Sequence, residues 1–95
     1  MFIVMLKFSE NRAKADAFVQ GHKNWIQQGF EDGVFLVVGS LLPDQGGAII
    51  AHNTDLKDIK ARVADDPFVT EGIVTAEILE ISPARTDARL DFIAA

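Results

Sequence analysis

Two side chains stand out for the chemistry they could share. His22 is one of two histidines in the 95 residues. It lies in register with Phe18, Trp25, Ile26 and Gly29, at steps of three or four. That spacing puts it on the apolar face of a helix, where a desolvated imidazole needs a hydrogen-bond partner. Histidine is also the side chain that titrates nearest physiological pH, which suits it to moving a proton. Asp66 could be its partner, in the run Val63-Ala64-Asp65-Asp66-Pro67-Phe68. Pro67 biases Asp66 away from helical backbone and ends the preceding helix, and Phe68 offers an apolar anchor to the core. The carboxylate would then be held at a fixed helix exit. Bonded to one ring nitrogen, it would set the tautomer and stabilise the imidazolium as the other nitrogen takes a proton. The competing roles are structural: a satisfied core histidine, and a solvated acid that stops a helix.

Three further residues could line a pocket around such a pair. Trp25 shares the His22 face, as core or as a stacking platform. Ser40 ends a strand after Gly39, without the context of a nucleophile elbow, and its hydroxyl could donate to a ligand. Lys7 interrupts an apolar strand, so it points out at an edge or places a cation near a barrel mouth. Other motifs carry less. His52 follows a strand and reads as a solvated loop residue. Gly46-Gly47 reads as a hairpin turn, since no helix begins there and no phosphate-binding pattern follows. Cysteine is absent, and the two histidines lack ligand spacing, so neither a metal nor a cofactor is expected.

The elements that must position these residues follow from periodicity. Phe2 to Phe8 is apolar, β-branched and too short for a globular helix, so it predicts a strand buried on both faces. Ser9 or Asn11 is a candidate cap for a helix over about 13–31, with Gly21 inside it as a close-packing point, a kink or a later start. Val34 to Val38 predicts a second strand and Ala48 to Ala51 a third. The Pro/Gly-rich stretch between them makes a hairpin. Thr54 or Asp55 caps a second helix carrying Leu56, Ile59, Lys60 and Val63. Gly72 to Ile81 is the fourth strand, and Pro83 stops it.

The order βαββαβ is the split pattern of a ferredoxin-like α+β fold: a four-stranded antiparallel sheet with two helices on one face. The first three strands are apolar on both sides, so the bare face needs a cover. A second copy of the chain would supply it, giving a dimeric α+β barrel. One domain is expected over residues 1–83. The tail, 84–95, carries Leu90, Phe92 and Ile93 and is expected to form a short helix or an arm over a partner subunit.

Composition narrows the function classes. Hydrophobic residues make up 48% of the chain, and the mean hydropathy is +0.15. That is high for a domain with so little interior, and it again favours a homodimer, with a higher oligomer left open. The net charge of −5 and scattered cations argue against a nucleic-acid partner. No apolar span is long enough for a membrane helix. Met1 leads straight into strand-like sequence without a targeting pattern, so a cytoplasmic location is expected.

The chain resembles the YCII-related (YciI-like) family from Phe2 to about Pro83. The resemblance rests on His22 before an apolar helix, Gly33-Val34, the strand ending at Gly39, Gly46-Gly47, and Asp66-Pro67-Phe68 followed by Gly72. It departs at Ser40, where many relatives have proline, and in the tail. The resemblance implies a dimeric ferredoxin-like barrel with a metal-free His-Asp site at His22 and Asp66. Relatives act in the breakdown of aromatic compounds, including chloride elimination from hydroxyquinone-type intermediates, and the wider superfamily includes muconolactone isomerases. The expectation is a cofactor-independent enzyme for isomerisation or elimination on a small cyclic or aromatic-derived molecule. In it His22 moves the proton and Asp66 orients it. The alternatives are a non-catalytic small-ligand-binding protein and a structural dimeric module.

Overall fold

A computed structural model describes residues 1–94 of the chain. The apolar runs become four strands: β1 (Phe2–Phe8), β2 (Phe35–Leu41), β3 (Gly46–Ala51) and β4 (Val74–Glu80). They form one antiparallel sheet in the order β2-β3-β1-β4. Helix α1 (Ala15–Glu31) connects β1 to β2, and α2 (Leu56–Ala64) follows β3. This is the ferredoxin-like α+β arrangement expected from the sequence.

The strand alternation separates two faces. Phe2, Val4, Leu6, Phe35, Ile49, Ala51 and Val74 turn toward the helices and are buried with Ile59 and Val63 of α2. Packing between α1 and β2 is close. A methyl group on Gly29 would overlap the ring of Phe35, so the helix can reach the sheet only with glycine there. Residue 29 is thus constrained by packing rather than by backbone conformation.

Several local details differ from the sequence reading. Neither Ser9 nor Asn11 caps α1. The helix starts after a 3₁₀ turn at Arg12–Lys14, with no side-chain cap. The Ser9 hydroxyl instead donates to the Gly72 carbonyl, and the Asn11 amide to that of Glu71 at 3.4 Å, tying β1 to the turn before β4. Asp55 does cap α2, accepting from the Asp58 amide at 2.8 Å. Gly21 lies inside α1 and does not start it; its Cα faces Pro67, whose Cγ would lie 3.2 Å from an added Cβ. The reverse turn of the hairpin is Leu42 to Gln45, and Gly46-Gly47 belong to β3.

The largest difference lies after α2. The chain does not pass directly into the last strand but makes a short helix, α3 (Pro67–Thr70), with Pro67 at its first turn. Proline cannot continue α2 because it lacks an N–H, yet its fixed φ suits the first turn of a new helix. One residue therefore stops one helix and starts the next.

At the far end of α1, the Gln28 amide and then the Arg62 guanidinium hold the Asp32 carboxyl below its usual range. The tail forms a 3₁₀ turn at Ala88–Leu90 and a final short helix, α4 (Asp91–Ala94). It borders an apolar groove of about 770 Å³ with Val37 and Ile50 of the helix-free face.

Gly29→Ala is expected to cost about 1–3 kcal/mol through overpacking against Phe35. It should lower the urea midpoint without changing the slope of the transition.

Candidate functional site

The Asp66-Pro67-Phe68 run builds the site from three backbone facts. Asp66 has extended backbone (φ −61°, ψ 124°) and is the cap of α3. Its Oδ1 accepts the Phe68 amide hydrogen at 3.0 Å, satisfying one of the free donors of the new helix. The same oxygen lies 2.7 Å from Nδ1 of His22, on α1. The Asp66 side chain is fully buried, and that of His22 is 16% exposed. The acid is thus no solvated helix stop; only its neighbour Asp65 is exposed.

This geometry assigns the imidazole tautomer. Oδ1 already accepts one amide hydrogen, and an ionised carboxylate only accepts, so the hydrogen between the two side chains sits on Nδ1. Nε2, with no hydrogen-bond partner among the described residues, is the nitrogen open to another molecule. The other carboxylate oxygen, Oδ2, is buried with no hydrogen-bond partner among the described residues. A carboxylate so enclosed depends on His22 and the Phe68 amide to offset its lost hydration.

Phe68 has a second role that the sequence reading did not anticipate. Its ring stacks face to face on the imidazole, with centroids 3.9 Å apart and planes within 3°. The ring therefore fixes the imidazole plane while the carboxylate fixes its rotation. Asp66 and Phe68 are two residues apart at a helix start, so one capping geometry sets both contacts. The sequence carried the signal only as the Pro67 that begins α3.

Beside this pair lies a cavity of about 300 Å³, between α1 and the sheet. Leu6 and Phe8 of β1, Ile26 of α1 and Phe68 give it apolar walls, and His22 and Ser40 supply polar side chains. Ser40 is exposed and so stands where the cleft opens to solvent. Among the described residues, no three His, Cys, Asp or Glu side chains gather as a metal site, and no helix is long and apolar enough to cross a membrane.

The profile of the YCII-related domain matches residues 1–83. The chain belongs to the YCII-related family. No curated protein matches it by sequence. Among solved structures it is similar to a 5-chloro-2-hydroxyhydroquinone dehydrochlorinase from Burkholderia phenoliruptrix, in complex with 2,5-dihydroxybenzoquinone. The TM-score is 0.69 at 13% identity, covering 85% of this chain and 93% of that one. A likeness at that identity speaks to the fold.

The remaining residues singled out in this YCII-related chain are placed as follows. Trp25 lies outside the cavity. Its indole N–H donates to the Arg62 carbonyl at 2.9 Å, and its ring packs edge-on against Phe35 with centroids 5.1 Å apart. That contact fastens α1 to α2 and gives the ring the role of core. Lys7 is exposed between Leu6 and Phe8, so it projects from the opposite face of the sheet, away from His22. It is not at an edge either, because β1 is an inner strand. His52 is partly buried against the edge of Phe92 in the tail, with ring centroids 5.4 Å apart, and is not a free loop residue.

Removing the carboxylate should have two measurable effects. Asp66→Ala is expected to destabilise the fold by about 2 kcal/mol or more, since it takes away a helix cap and strands the His22 donor. Nitrogen-15 NMR of the His22 ring should show the Nδ1-H tautomer in the native protein and a tautomer mixture in Asp66→Asn. An unchanged tautomer would mean that the carboxylate does not set it.

Proposed function

We propose that this chain is a cofactor-independent enzyme that moves a proton on a small cyclic or aromatic-derived molecule, in an isomerisation or an elimination. The observation that carries this reading is a fully buried carboxylate bonded to a histidine that lines an open cleft. Enclosing an acid in this way is a poor route to stability, because desolvation cancels much of the attraction within the pair. A proton-transfer site has use for it: the carboxylate holds the tautomer and stabilises the imidazolium while Nε2 works.

The reaction follows from those roles. A substrate ring enters the cleft against Phe68 and Leu6, with a polar group near the Ser40 hydroxyl. Nε2 of His22 takes a proton from the substrate, and the electron pair released forms a double bond within it. In an isomerisation the imidazolium returns the proton at another atom. In an elimination the leaving group departs with its bonding pair, and the proton is then lost to solvent. The dehydrochlorinase that shares this fold is named for the second outcome, so halogenated hydroxyhydroquinones are first substrates for elimination, and uncharged lactones are first substrates for isomerisation. Trp25 and Lys7, on their present placement, take no part.

On such a substrate, His22→Gln should lower kcat by about 10²-fold or more while leaving KM within a few-fold. Asp66→Asn should fall between His22→Gln and the native enzyme. Ligand binding that survives His22→Ala, with no turnover across both substrate series, would instead mark a non-catalytic binding protein.

The proposal includes a homodimer formed through the helix-free face of the sheet. Cross-strand pairing aligns Val37, Ile50, Ile3 and Leu79 there in one row. Val37 and Leu79 are 54% and 42% exposed, an apolar row of the kind that a second copy covers. Sedimentation should give twice the chain mass, and Ile50→Glu should give the single-chain mass with native circular dichroism. A native protein sedimenting as one chain would exclude this assembly.

A further inference from the structure

The two glycines that open β3 have different reasons to be glycine. Gly46 has a φ of +127°, and a Cβ on it would run into the Leu6 carbonyl oxygen. Backbone geometry alone demands glycine there. Gly47 meets no such demand, since its φ is not positive. An added Cβ would have one neighbour within 4 Å, the Gly39 carbonyl oxygen at 3.3 Å, so alanine fits after a small shift.

The position of Gly47 supplies another reason. Its register partners are Leu6 on one side and Ser40 on the other. Both line the His22 cavity, as Gly47 itself does. Strand alternation puts a side chain at residue 47 on their face of the sheet, inside the cleft. The cavity of about 300 Å³ is roughly twice the apolar cavity of about 150 Å³ that holds benzene. There is room for a substituted ring, and a branched side chain at residue 47 would intrude on the part of the cleft between Leu6 and Ser40.

The lining also sets a charge rule. Among the described residues His22 is its one ionisable side chain, and it is already bonded to the Asp66 carboxylate. A carboxylate or phosphate entering the cleft would shed water without meeting a free cation, and would approach an existing anion.

We infer that Gly47 determines specificity: its missing side chain leaves room for an uncharged ring beside His22, while carboxylated and phosphorylated compounds are excluded. The inference rests on the reading of this cleft as the ligand site, but not on proton transfer.

Binding tests it without turnover. Benzamide and benzoate share a shape and differ in charge, and phenol is a smaller neutral ring. Each is titrated into the native protein, Gly47→Ala and Gly47→Val, with the His22 ring resonances and calorimetry as readouts. Benzamide and phenol are expected to bind the native protein and shift the His22 signals, with benzoate weaker by about tenfold or more. Gly47→Ala should weaken phenol, and Gly47→Val should abolish its binding. Equal affinity for benzamide and benzoate, full binding of phenol by folded Gly47→Ala or Gly47→Val, or no neutral ring bound by the native protein would each overturn the inference. The charge comparison needs no variant, and Gly47→Ala tests the space at residue 47 even if Gly47→Val fails to fold. Native-pattern binding together with absent turnover would count against the proton-transfer reading and leave this one standing.

Discussion

The structure depends on how it houses one buried carboxylate. Asp66 loses its water when α3 packs against α1, and two donors answer that loss: the Phe68 amide and the His22 ring. Those donors come from residues 44 positions apart and two positions apart, so one oxygen joins a local turn to a distant helix. If either contact failed, an acid would remain in the interior with little compensation. The sheet, by contrast, is held by ordinary apolar burial spread over many side chains, none of which is so exacting.

Aromatic packing reinforces the same junction. Phe68 stacks on His22, Gly21 lets α1 approach Pro67, and Trp25 binds the carbonyl of Arg62. Each contact ties α1 to the segment that carries Asp66. The imidazole is consequently fixed in plane by Phe68 and in rotation by the carboxylate before any ligand arrives. Preorganisation of this kind is what a proton-transfer group requires, because reorienting it during reaction would add to the barrier.

The two faces of the sheet then divide the work. The helix-covered face forms the core and, toward the Ser40 end, opens into the cleft beside His22. The other face carries the apolar row from Val37 to Leu79 and the groove bordered by the tail. Lys7 illustrates the division. As a cation in an apolar strand it looked like a pocket residue, but a period of two sends it away from the cleft that its neighbours Leu6 and Phe8 line.

The sequence by itself determined the order of the four strands and two longer helices and the ferredoxin-like fold, because strand and helix periods are written in local apolar spacing. It also named His22 and Asp66 as candidates, because a histidine on an apolar helix face needs a partner and Pro67 fixes where the carboxylate leaves the helix. It left open whether they meet, because the contact spans two helices and depends on where α3 places the carboxylate. Trp25 shared the helix face of His22, and only tertiary packing decided that its N–H is used by Arg62 instead of facing the cleft. Ser9 and Asn11 looked like helix caps because their side chains suit that role. The fold offered them carbonyls of the Glu71-Gly72 turn, which no local pattern reveals. Gly47 is the clearest such case. In sequence it is half of a Gly-Gly pair, indistinguishable from Gly46. Only the register of β3 between β1 and β2 shows that one glycine answers to the backbone and the other faces an empty space.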